Sequence, residues 1–262
     1  MPPTELTLSP AEQQQWDQDG YFLRTGQFTD TELAAFRSAA ERAAGQACAR
    51  THEGREYQLD GKRFVDVGPA TLQFEHEPGS TTLRVLEPVH LFDPVLDALI
   101  DDPRLAQPMR ELVGDESVAL WTSKLNVKGG YGSAFPWHQD SPYWMHDCDH
   151  VDQLPNVMLA LDSQSEKNGC FRVIRGSHRG GMLPGTQDGT KLGGFYTSAS
   201  KFSEQQQVAL QVAAGTLIFF SPHSVHGSLE NTSSAPRRAL IFTYQPGTFP
   251  MLKNAKVRNV AS

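Results

Sequence analysis

VALWTSKLNV, at residues 118–127, is the first of seven short apolar segments that together decide the fold. The other six are AFPWHQD (134–140), NVMLALD (156–162), CFRVIRG (170–176), QVALQVAAG (207–215), TLIFFSP (216–222) and RALIFTYQ (238–245). Clusters of Gly, Pro, Asn and Ser separate these segments, as expected for strands joined by turns. The series predicts a mostly β fold, a double-stranded β-helix or jelly-roll barrel, with its core at about residues 118–248.

Two helices are predicted near the start of the chain. In LSPAEQQQWDQDG (8–20), Ser9 can cap a helix and Glu12 completes a capping box. Gly20 ends this helix. FTDTELAAFRSAAERAAGQA (28–47) has apolar residues at helical spacing and a threonine near its start that can act as the cap.

Two further helices complete a helical N-terminal part at about residues 9–114. DPVLDALIDDPRLAQPMRELVG (93–114) reads as two short helices, because Pro103 interrupts the pattern. Residues 48–82 are polar and lack a clean period, which predicts a loop with short strands near the site. Helices that precede a continuous set of strands are expected to brace the barrel from outside, so we expect a single domain over residues 1–262.

Composition and charge limit the possible partners. The chain has 262 residues and a formal net charge of −7 at pH 7, which gives no electrostatic case for nucleic acid or an anionic membrane as the main partner. No run of about 18 apolar residues could cross a bilayer, and no basic-then-apolar leader opens the chain. The cysteines lie far apart with no CxxC pair, which argues against disulfides or a thiolate zinc site. We expect a cytoplasmic protein with a small-molecule substrate.

The segment PWHQDSPYW (136–144) carries the first candidate metal ligands. His138 and Asp140 lie two apart on a predicted strand, so both side chains point to one face while Gln139 points to the other. With a second imidazole from elsewhere, they form the facial triad of non-haem iron(II) oxygenases, which leaves positions open for a co-substrate and O2. Alone, the H-x-D pattern is a weak signal, since a single histidine more often has a surface or core role.

The third ligand is expected in FFSPHSVHGSLENTSSAPRRALIF (219–242), where a predicted turn carries His223 and His226. From the pattern alone, either histidine could close the triad. Arg237 begins the next predicted strand, where its guanidinium can bind the distal carboxylate of a dicarboxylic acid in a bidentate pair. Taken alone, Arg237 and Arg238 also fit the solvated start of a strand.

Three motifs together resemble the phytanoyl-CoA dioxygenase superfamily, over about residues 10–248. WHQD matches the H-x-D strand of that family, KNGCFRVIRGSH (167–178) matches its N-G-x-x-x-V-x-P-G-S-H segment, and HGSLENTS followed by Arg237 matches its histidine-to-arginine module. The distal histidine of the family precedes Gly-Ser and lies about eleven residues before the arginine, which selects His226 over His223 and leaves His223 a structural role. The resemblance implies an enzyme that uses Fe(II), 2-oxoglutarate and O2, with Arg237 on 2-oxoglutarate and with the metal ligands His138, Asp140 and His226.

A second, local resemblance to ectoine hydroxylases of this superfamily covers SKLNVKGGYGSAFPWHQD (123–140). By position, it implies further contacts with 2-oxoglutarate from Asn126, Asn156, Ser228 and Arg84. The residues themselves support the first of these, because Lys124, Asn126 and Lys128 share one strand face and would line one side of the barrel. Solvent exposure of that face is the alternative.

Two positions bear on the reaction. Arg175 stands where the family usually has Pro, which we expect to alter only a turn. Asp140 is intact, whereas halogenating relatives carry Gly or Ala there, so we expect hydroxylation of an aliphatic carbon in an amino-acid-like, phosphonate, acyl or natural-product substrate. Desaturation, epimerisation or cyclisation at the same iron site, or a cupin-like metal-binding protein without oxygenase activity, stays open as the alternative.

The substrate is expected to lie beside the residues that flank Asp140. Candidates for the substrate side are Trp137, Tyr143, Trp144, Lys124 and the loop 145–154. Aromatic side chains at such a place also serve as packing, and a basic side chain there can instead bind an anionic group.

Overall fold

Strands dominate the fold, as the sequence predicts. The computed structural model describes residues 6–186 and 188–261. Its strands are β1 Tyr21–Arg24, β2 Arg55–Leu59, β3 Lys62–Val67, β4 Ala70–Phe74, β5 Leu83–Glu87, β6 Val118–Lys128, β7 Phe135–His138, β8 Asn156–Ala160, β9 Arg172–Ile174, β10 Gln207–Ala209, β11 Leu217–Phe220, β12 His226–Ser228 and β13 Arg237–Pro246. Its α-helices are α1 Pro10–Asp19, α2 Asp30–Ala49, α3 Pro94–Ala98, α4 Pro103–Val113 and α5 Ser141–Trp144.

Two antiparallel sheets make up the barrel. The larger sheet has nine strands in the order β1-β11-β8-β13-β6-β5-β4-β3-β2, and the smaller has four in the order β10-β9-β12-β7. A buried apolar cluster that includes Met158, Phe171 and Ile241 draws side chains from both sheets. This is the arrangement of a jelly roll, so the predicted fold class is confirmed.

The N-terminal helices have the predicted ends. Ser9 caps α1 through a capping box, and Gly20 ends it in the left-handed conformation (φ 80°). Thr29 caps α2 through a second capping box. The fully buried Ala39 and Ala43 of α2 share a core cluster with the strands of the larger sheet. Small side chains let the helix lie close to the sheet, so it braces the outer face as expected.

The part of the chain predicted to be helical, about residues 9–114, also contains β1 to β5. Within 48–82, β2, β3 and β4 form an antiparallel meander that continues the larger sheet beyond β5. The sequence does not show these strands clearly because β2 is an edge strand with mostly exposed side chains, so apolar and polar residues do not alternate. The two helices predicted at 93–114 are α3 and α4, and Gly114 ends α4.

Two predicted segments differ from the observed strands. The segment 207–215 is a strand only at β10. The predicted turn after β11 contains β12, so His226 lies on a strand that pairs with both β7 and β9. A strand of three residues is too short to show a periodic pattern, which is why the sequence predicts a turn there.

No helix in residues 6–186 and 188–261 is both long enough and apolar enough to span a bilayer. Cys48, Cys148 and Cys170 are free thiols, as their spacing predicts. Cys170 is buried, and the other two are partly exposed.

An interior strand of the larger sheet, β13, gives a test of the core. Leu240 on β13 is fully buried, so Leu240→Ala should lower the free energy of unfolding by about 2–5 kcal/mol, since it removes buried methyl groups and leaves a cavity. Leu91→Ala is the matched control, because Leu91 is 43% exposed and the change should stay below about 0.5 kcal/mol. Urea denaturation measures both variants, and equal losses would contradict this location of the core.

Candidate metal centre and co-substrate cavity

Three side chains converge on one point beside the smaller sheet. His138, Asp140 and His226 each offer one ligand atom, and these atoms all lie within 4.8 Å of one another. His138 and His226 are register partners on β7 and β12, and the centroids of their rings are 4.2 Å apart. The group therefore has the size and the donor types that one metal ion requires.

Asp140 reaches this point from a turn. The sequence predicts Asp140 on the same strand as His138, but β7 ends at His138. The backbone of Asp140 is helical (φ −77°, ψ −33°) and leads into α5. Its N–H donates to the carbonyl of Pro222 (3.1 Å), which ties this turn to the segment before β12. Gln139 points away, as expected, and its amide donates to the carbonyl of His223 (2.6 Å).

Backbone carbonyls fix the orientation of both imidazoles. His138 Nδ1 lies 2.8 Å from the carbonyl of Pro136, and His226 Nδ1 lies 2.9 Å from that of Ser224. Because a carbonyl only accepts, each Nδ1 carries the proton, and each Nε2 is left with its lone pair. This is the tautomer that a histidine needs in order to bind a metal through Nε2.

The carboxylate of Asp140 is held from two sides. Asn156 Nδ2 donates to Asp140 Oδ2 (3.0 Å), while Lys124 Nζ lies 3.7 Å from Oδ1. Lys124 also lies 3.9 Å from Glu87. Although burial opposes the charge, Glu87 and Asp140 raise the pKa of Lys124. The lysine therefore stays cationic beside the candidate ligand.

Burial and neighbouring groups together set the charges of the three candidate ligands. Burial lowers the pKa of His138 to about 3, with His226 as a further cause, and it also lowers the pKa of His226. Burial alone would raise the pKa of Asp140, but Lys124 and the amide of Asn156 contribute to holding it below its usual value. At neutral pH the group therefore consists of two neutral imidazoles and one carboxylate.

His223 lies outside this group. Its Nδ1 is 2.9 Å from Ser141 Oγ and its Nε2 is 2.7 Å from Asp152 Oδ1, so both ring nitrogens already have partners. The structure thus agrees with the structural role expected for His223.

A cavity of about 520 Å3 opens beside the triad, between the two sheets. Among the predicted site residues, those that line it together with the triad are Arg84, Lys124, Asn126, Tyr143, Trp144, Ser228 and Arg237. The polar face of β6 therefore points into the protein and not into solvent, because Lys124 and Asn126 both face this space.

Arg237 is a buried cation at the cavity wall, with 2% of its surface exposed. Its Nη2 donates to the carbonyl of Gly169 (2.7 Å), but its Nε has no hydrogen-bond partner and no carboxylate pairs with it among the described residues. Burial lowers the pKa of Arg237 to about 10, so it remains charged at neutral pH. Arg238 instead points outward and pairs with Asp162 (2.9 Å) and Glu41 (2.6 Å).

Arg84 is a second buried cation, 1% exposed. It donates to the carbonyls of Ser133 (2.9 Å) and Ala134 (2.6 Å), lies 3.5 Å from Glu75 and stacks on the ring of Phe135 (3.7 Å). Its Nε also lacks a hydrogen-bond partner. The guanidinium is thus held rigidly and keeps one donor unused.

Asn126 and Ser228 supply neutral polar atoms to the same cavity. The Oδ1 of Asn126 is buried without a hydrogen-bond partner, and Ser228 is 7% exposed. Unpartnered buried polar atoms are rare unless a ligand or water satisfies them. The unused donors of the two arginines mark a place for an anionic ligand, while the Oδ1 of Asn126 is an acceptor that a donor group or water would satisfy.

Two predicted positions do not face the cavity. Asn156 is buried behind Asp140, where it donates to this carboxylate and accepts from Thr243 (2.6 Å), so the predicted contact with 2-oxoglutarate is replaced by a contact with the candidate ligand. Trp137 precedes His138 on β7, and the alternation of side chains along a strand turns it to the opposite face, next to Arg172 (5.7 Å). It is therefore not on the predicted substrate side.

The sequence does not indicate what covers the cavity. We call this cover the roof; it consists of the tip of the β2–β3 hairpin, residues 60–62, and the segment 191–196. Asp60 accepts hydrogen bonds from two backbone N–H groups at the start of that segment (2.6 and 3.1 Å). Lys62 Nζ donates to the hydroxyl of Tyr196 (2.8 Å). These long-range contacts leave no periodic signal in a sequence.

Aromatic side chains form the wall between the roof and the triad. Tyr143 stacks on Phe195 with ring centroids 4.5 Å apart. It also meets the ring of His138 edge to face, with centroids 5.9 Å apart. Trp144 lies 5.2 Å from Lys124 Nζ. Titratable side chains that the sequence does not single out also line the cavity, among them Lys62, His76, Glu87, Asp147 and Lys253.

Sequence comparisons point to one family. The sequence profile of the phytanoyl-CoA dioxygenase (PhyH) family matches residues 16–239. The ectoine dioxygenase of Bordetella bronchiseptica is 29% identical over 261 residues, which cover 90% of this chain and 75% of that protein. The L-proline trans-4-hydroxylase of Streptomyces griseoviridis is 30% identical over 186 residues, which cover 64% of this chain and 69% of that protein.

Known structures agree with the sequence comparisons. EctD from S. alaskensis with 2-oxoglutarate and 5-hydroxyectoine has a TM-score of 0.68 at 27% identity, covering 92% of this chain and 77% of that chain. The structure of the same protein with bound Fe has a TM-score of 0.66 at 27% identity, and the match covers 94% of this chain and 80% of that chain. Since the family profile extends over both sheets and all three converging side chains, the chain belongs to the phytanoyl-CoA dioxygenase (PhyH) family.

Proposed function

We propose that the protein is an Fe(II)- and 2-oxoglutarate-dependent dioxygenase that hydroxylates an aliphatic carbon of a small-molecule metabolite. One observation carries the proposal: a group of two imidazoles and a carboxylate shares a cavity with a buried arginine that has no carboxylate partner among the described residues. The first feature suits a metal and the second suits a dicarboxylic acid. Membership of the PhyH family supports the combination.

The residues present fit the metal. Two neutral nitrogen donors and one carboxylate oxygen are the ligand set of non-haem iron(II) oxygenases, and they leave coordination positions open. His138, Asp140 and His226 would hold the iron, which when bound supplies O2 activation coupled to oxidation of 2-oxoglutarate to succinate and CO2. Lys124 and Asn156 fix the carboxylate of Asp140 in place, so the ligand geometry is set before the metal binds.

Arg237 would bind the distal carboxylate of 2-oxoglutarate. Its Nε has no hydrogen-bond partner and is free to donate, and guanidinium groups are the side chains that pair with carboxylates in a planar fork. Ser228 and Asn126 lie on the same wall and would complete the binding of the oxygen atoms, and Arg84 would add positive charge. Their burial excludes water from the reacting groups, which strengthens each of these interactions.

The remaining space would hold the substrate against Tyr143 and Trp144. A cavity of about 520 Å3 that also contains 2-oxoglutarate leaves room for a small metabolite, in the size range of ectoine and L-proline, for which the two relatives are named. Cations and carboxylates both line this space, which favours a polar substrate.

We further infer that the described residues work as one catalytic domain, because the cavity draws side chains from β3 through to the segment after β13. A reducing compartment such as the cytoplasm suits three free thiols.

The direct test is turnover of 2-oxoglutarate. Purified protein supplied with Fe(II), O2 and 2-oxoglutarate should release succinate, and the rate should rise several-fold when a true substrate such as ectoine or L-proline is added. Mass spectrometry of the substrate should show the gain of one oxygen atom. Protein that retains iron but neither binds nor consumes 2-oxoglutarate would contradict the proposal.

The two histidines near β12 give a matched pair for the metal. His226→Ala should lose most of its iron, because it removes one of three ligands, whereas His223→Ala should keep it, because His223 contacts Ser141 and Asp152 instead. The iron content of each variant after gel filtration measures how much metal it retains. Retention by His226→Ala together with loss by His223→Ala would reassign the third ligand.

The neighbouring arginines give a matched pair for the co-substrate. Arg237→Ala should cost about 2–5 kcal/mol of binding, since it leaves a buried carboxylate unpaired, which raises the apparent KM for 2-oxoglutarate roughly 30-fold or more. Arg238→Ala removes the ion pairs with Asp162 and Glu41 on the outer side of the sheet and should change that KM by less than about fivefold. An unchanged KM in Arg237→Ala would remove this residue from the site.

A further inference from the structure

Lys128, the last residue of β6, is fully buried although it is a lysine. Its Nζ donates to the backbone carbonyl of Leu229 and lies 5.3 Å from the ring of Phe135. Among the residues that the structure describes, no carboxylate pairs with it. An ammonium group in such a place has lost most of its hydration and has gained little in return.

The groups that face Lys128 are mostly cationic. Arg237 is its register partner on β13, and Arg84 approaches from β5. Glu75, which follows β4, and Cys170, which precedes β9, face it as well. The carboxylate of Glu75 lies 3.5 Å from Arg84, so its negative charge offsets the positive charge of that guanidinium. The positive charge of Arg237 has no such partner among the described residues.

The stem of Lys128 is closely packed beside Gly169. Gly169 has a left-handed backbone (φ 67°), and a Cβ placed there would collide with the carbonyl of Leu229 and lie 3.0 Å from Lys128 Cδ. Only glycine fits between these groups, so the carbonyl of Leu229 and the lysine stem are held together. The same glycine accepts the hydrogen bond from Arg237.

We propose that Lys128 is an uncharged amine in the free protein and takes up a proton when 2-oxoglutarate binds beside Arg237, which couples co-substrate binding to proton uptake. This inference rests on the proposed function. The entering dianion places negative charge next to the two guanidiniums, so the repulsion that opposes a third cation is offset. Lys128 thus acts through Arg237 and Arg84 and is a positioning residue.

The direction of the charge effects agrees with this role. Burial, followed by Arg237 and Arg84, lowers the pKa of Lys128 to about 6, and Glu75 and Cys170 raise it by less. Burial raises the pKa of the Cys170 thiol, which therefore stays neutral. Burial keeps the pKa of His76 at about 4 and that of His138 at about 3, so these cavity histidines do not titrate near neutral pH.

The sign of the pH dependence follows from these values. Below about pH 6, Lys128 is protonated with or without 2-oxoglutarate, so binding takes up no proton and is tightest. Above that pH, binding must protonate the amine, so the Kd for 2-oxoglutarate rises by up to about tenfold per pH unit until the pKa of the complex is reached. The affinity therefore falls as the pH rises.

The test is anaerobic isothermal titration of 2-oxoglutarate into the Fe(II)-loaded protein near pH 7.5, in two buffers of different ionisation enthalpy. The wild type should take up about one proton per molecule bound. Lys128→Met should take up none, and its Kd should be nearly independent of pH. Lys201→Met, which changes an exposed lysine, is the matched control and should behave as the wild type.

A second variant keeps the inference testable if Lys128→Met does not fold. Lys128→Arg keeps a charge that does not titrate in this range, so it should bind 2-oxoglutarate without proton uptake. Binding by the wild type without proton uptake, or unchanged uptake in Lys128→Met, would overturn the inference. If neither variant folds, the wild type still tests the inference, because a Kd for 2-oxoglutarate that stays constant between about pH 6 and 8 would overturn it. A wild type that retains iron but does not bind 2-oxoglutarate would instead remove the proposed function.

Discussion

The antiparallel pairing of β7 with β12 is the constraint on which the site depends. It places His138 opposite His226 and so brings the centroids of these rings to 4.2 Å. Because side chains alternate along a strand, a slip of one residue would turn one imidazole away from the other. Gly227 protects this register, since a side chain at that position would press on the backbone of Phe135 and Pro136. The turn at Asp140 then only has to place one carboxylate beside a pair that is already fixed.

The second principle of the site is unbalanced charge. Arg84, Lys128 and Arg237 are all buried within one region, and Glu75 is the carboxylate that faces them. Backbone carbonyls hold the two guanidiniums in place but do not neutralise them, and Lys128 avoids adding a third charge because, as proposed, it is uncharged in the free protein. Such a region is unfavourable when empty, because desolvated like charges repel, and it becomes favourable when a dianion enters. The dianion of the proposed function would relieve this repulsion on binding, which favours doubly negative molecules at this place.

The residues that could be predicted from sequence are those governed by local rules. A capping box gave the start of α1 and a capping threonine that of α2, and apolar runs between turn residues gave β6, β8, β11 and β13. The two-residue spacing of His138 and Asp140, together with the family resemblance, gave the candidate metal site even though Asp140 lies past the strand end. The meander β2–β4 and the roof depend on contacts between distant, mostly polar segments, which leave no periodic pattern. Resemblance located Asn156 near the site but could not tell which way its side chain turns, and it faces Asp140.

The roof and the metal side of the cavity are joined. Within the roof, Asp60 and Lys62 bind the segment 191–196. The same segment reaches the triad, because Tyr196 forms a β-bridge with His138 and Phe195 stacks on Tyr143. Substitutions at residues 195 and 196 would therefore alter ligand entry and a candidate metal ligand together, whereas those at residue 60 act on the entrance. A change of substrate preference is accordingly less constrained on the hairpin side of the roof than beside His138.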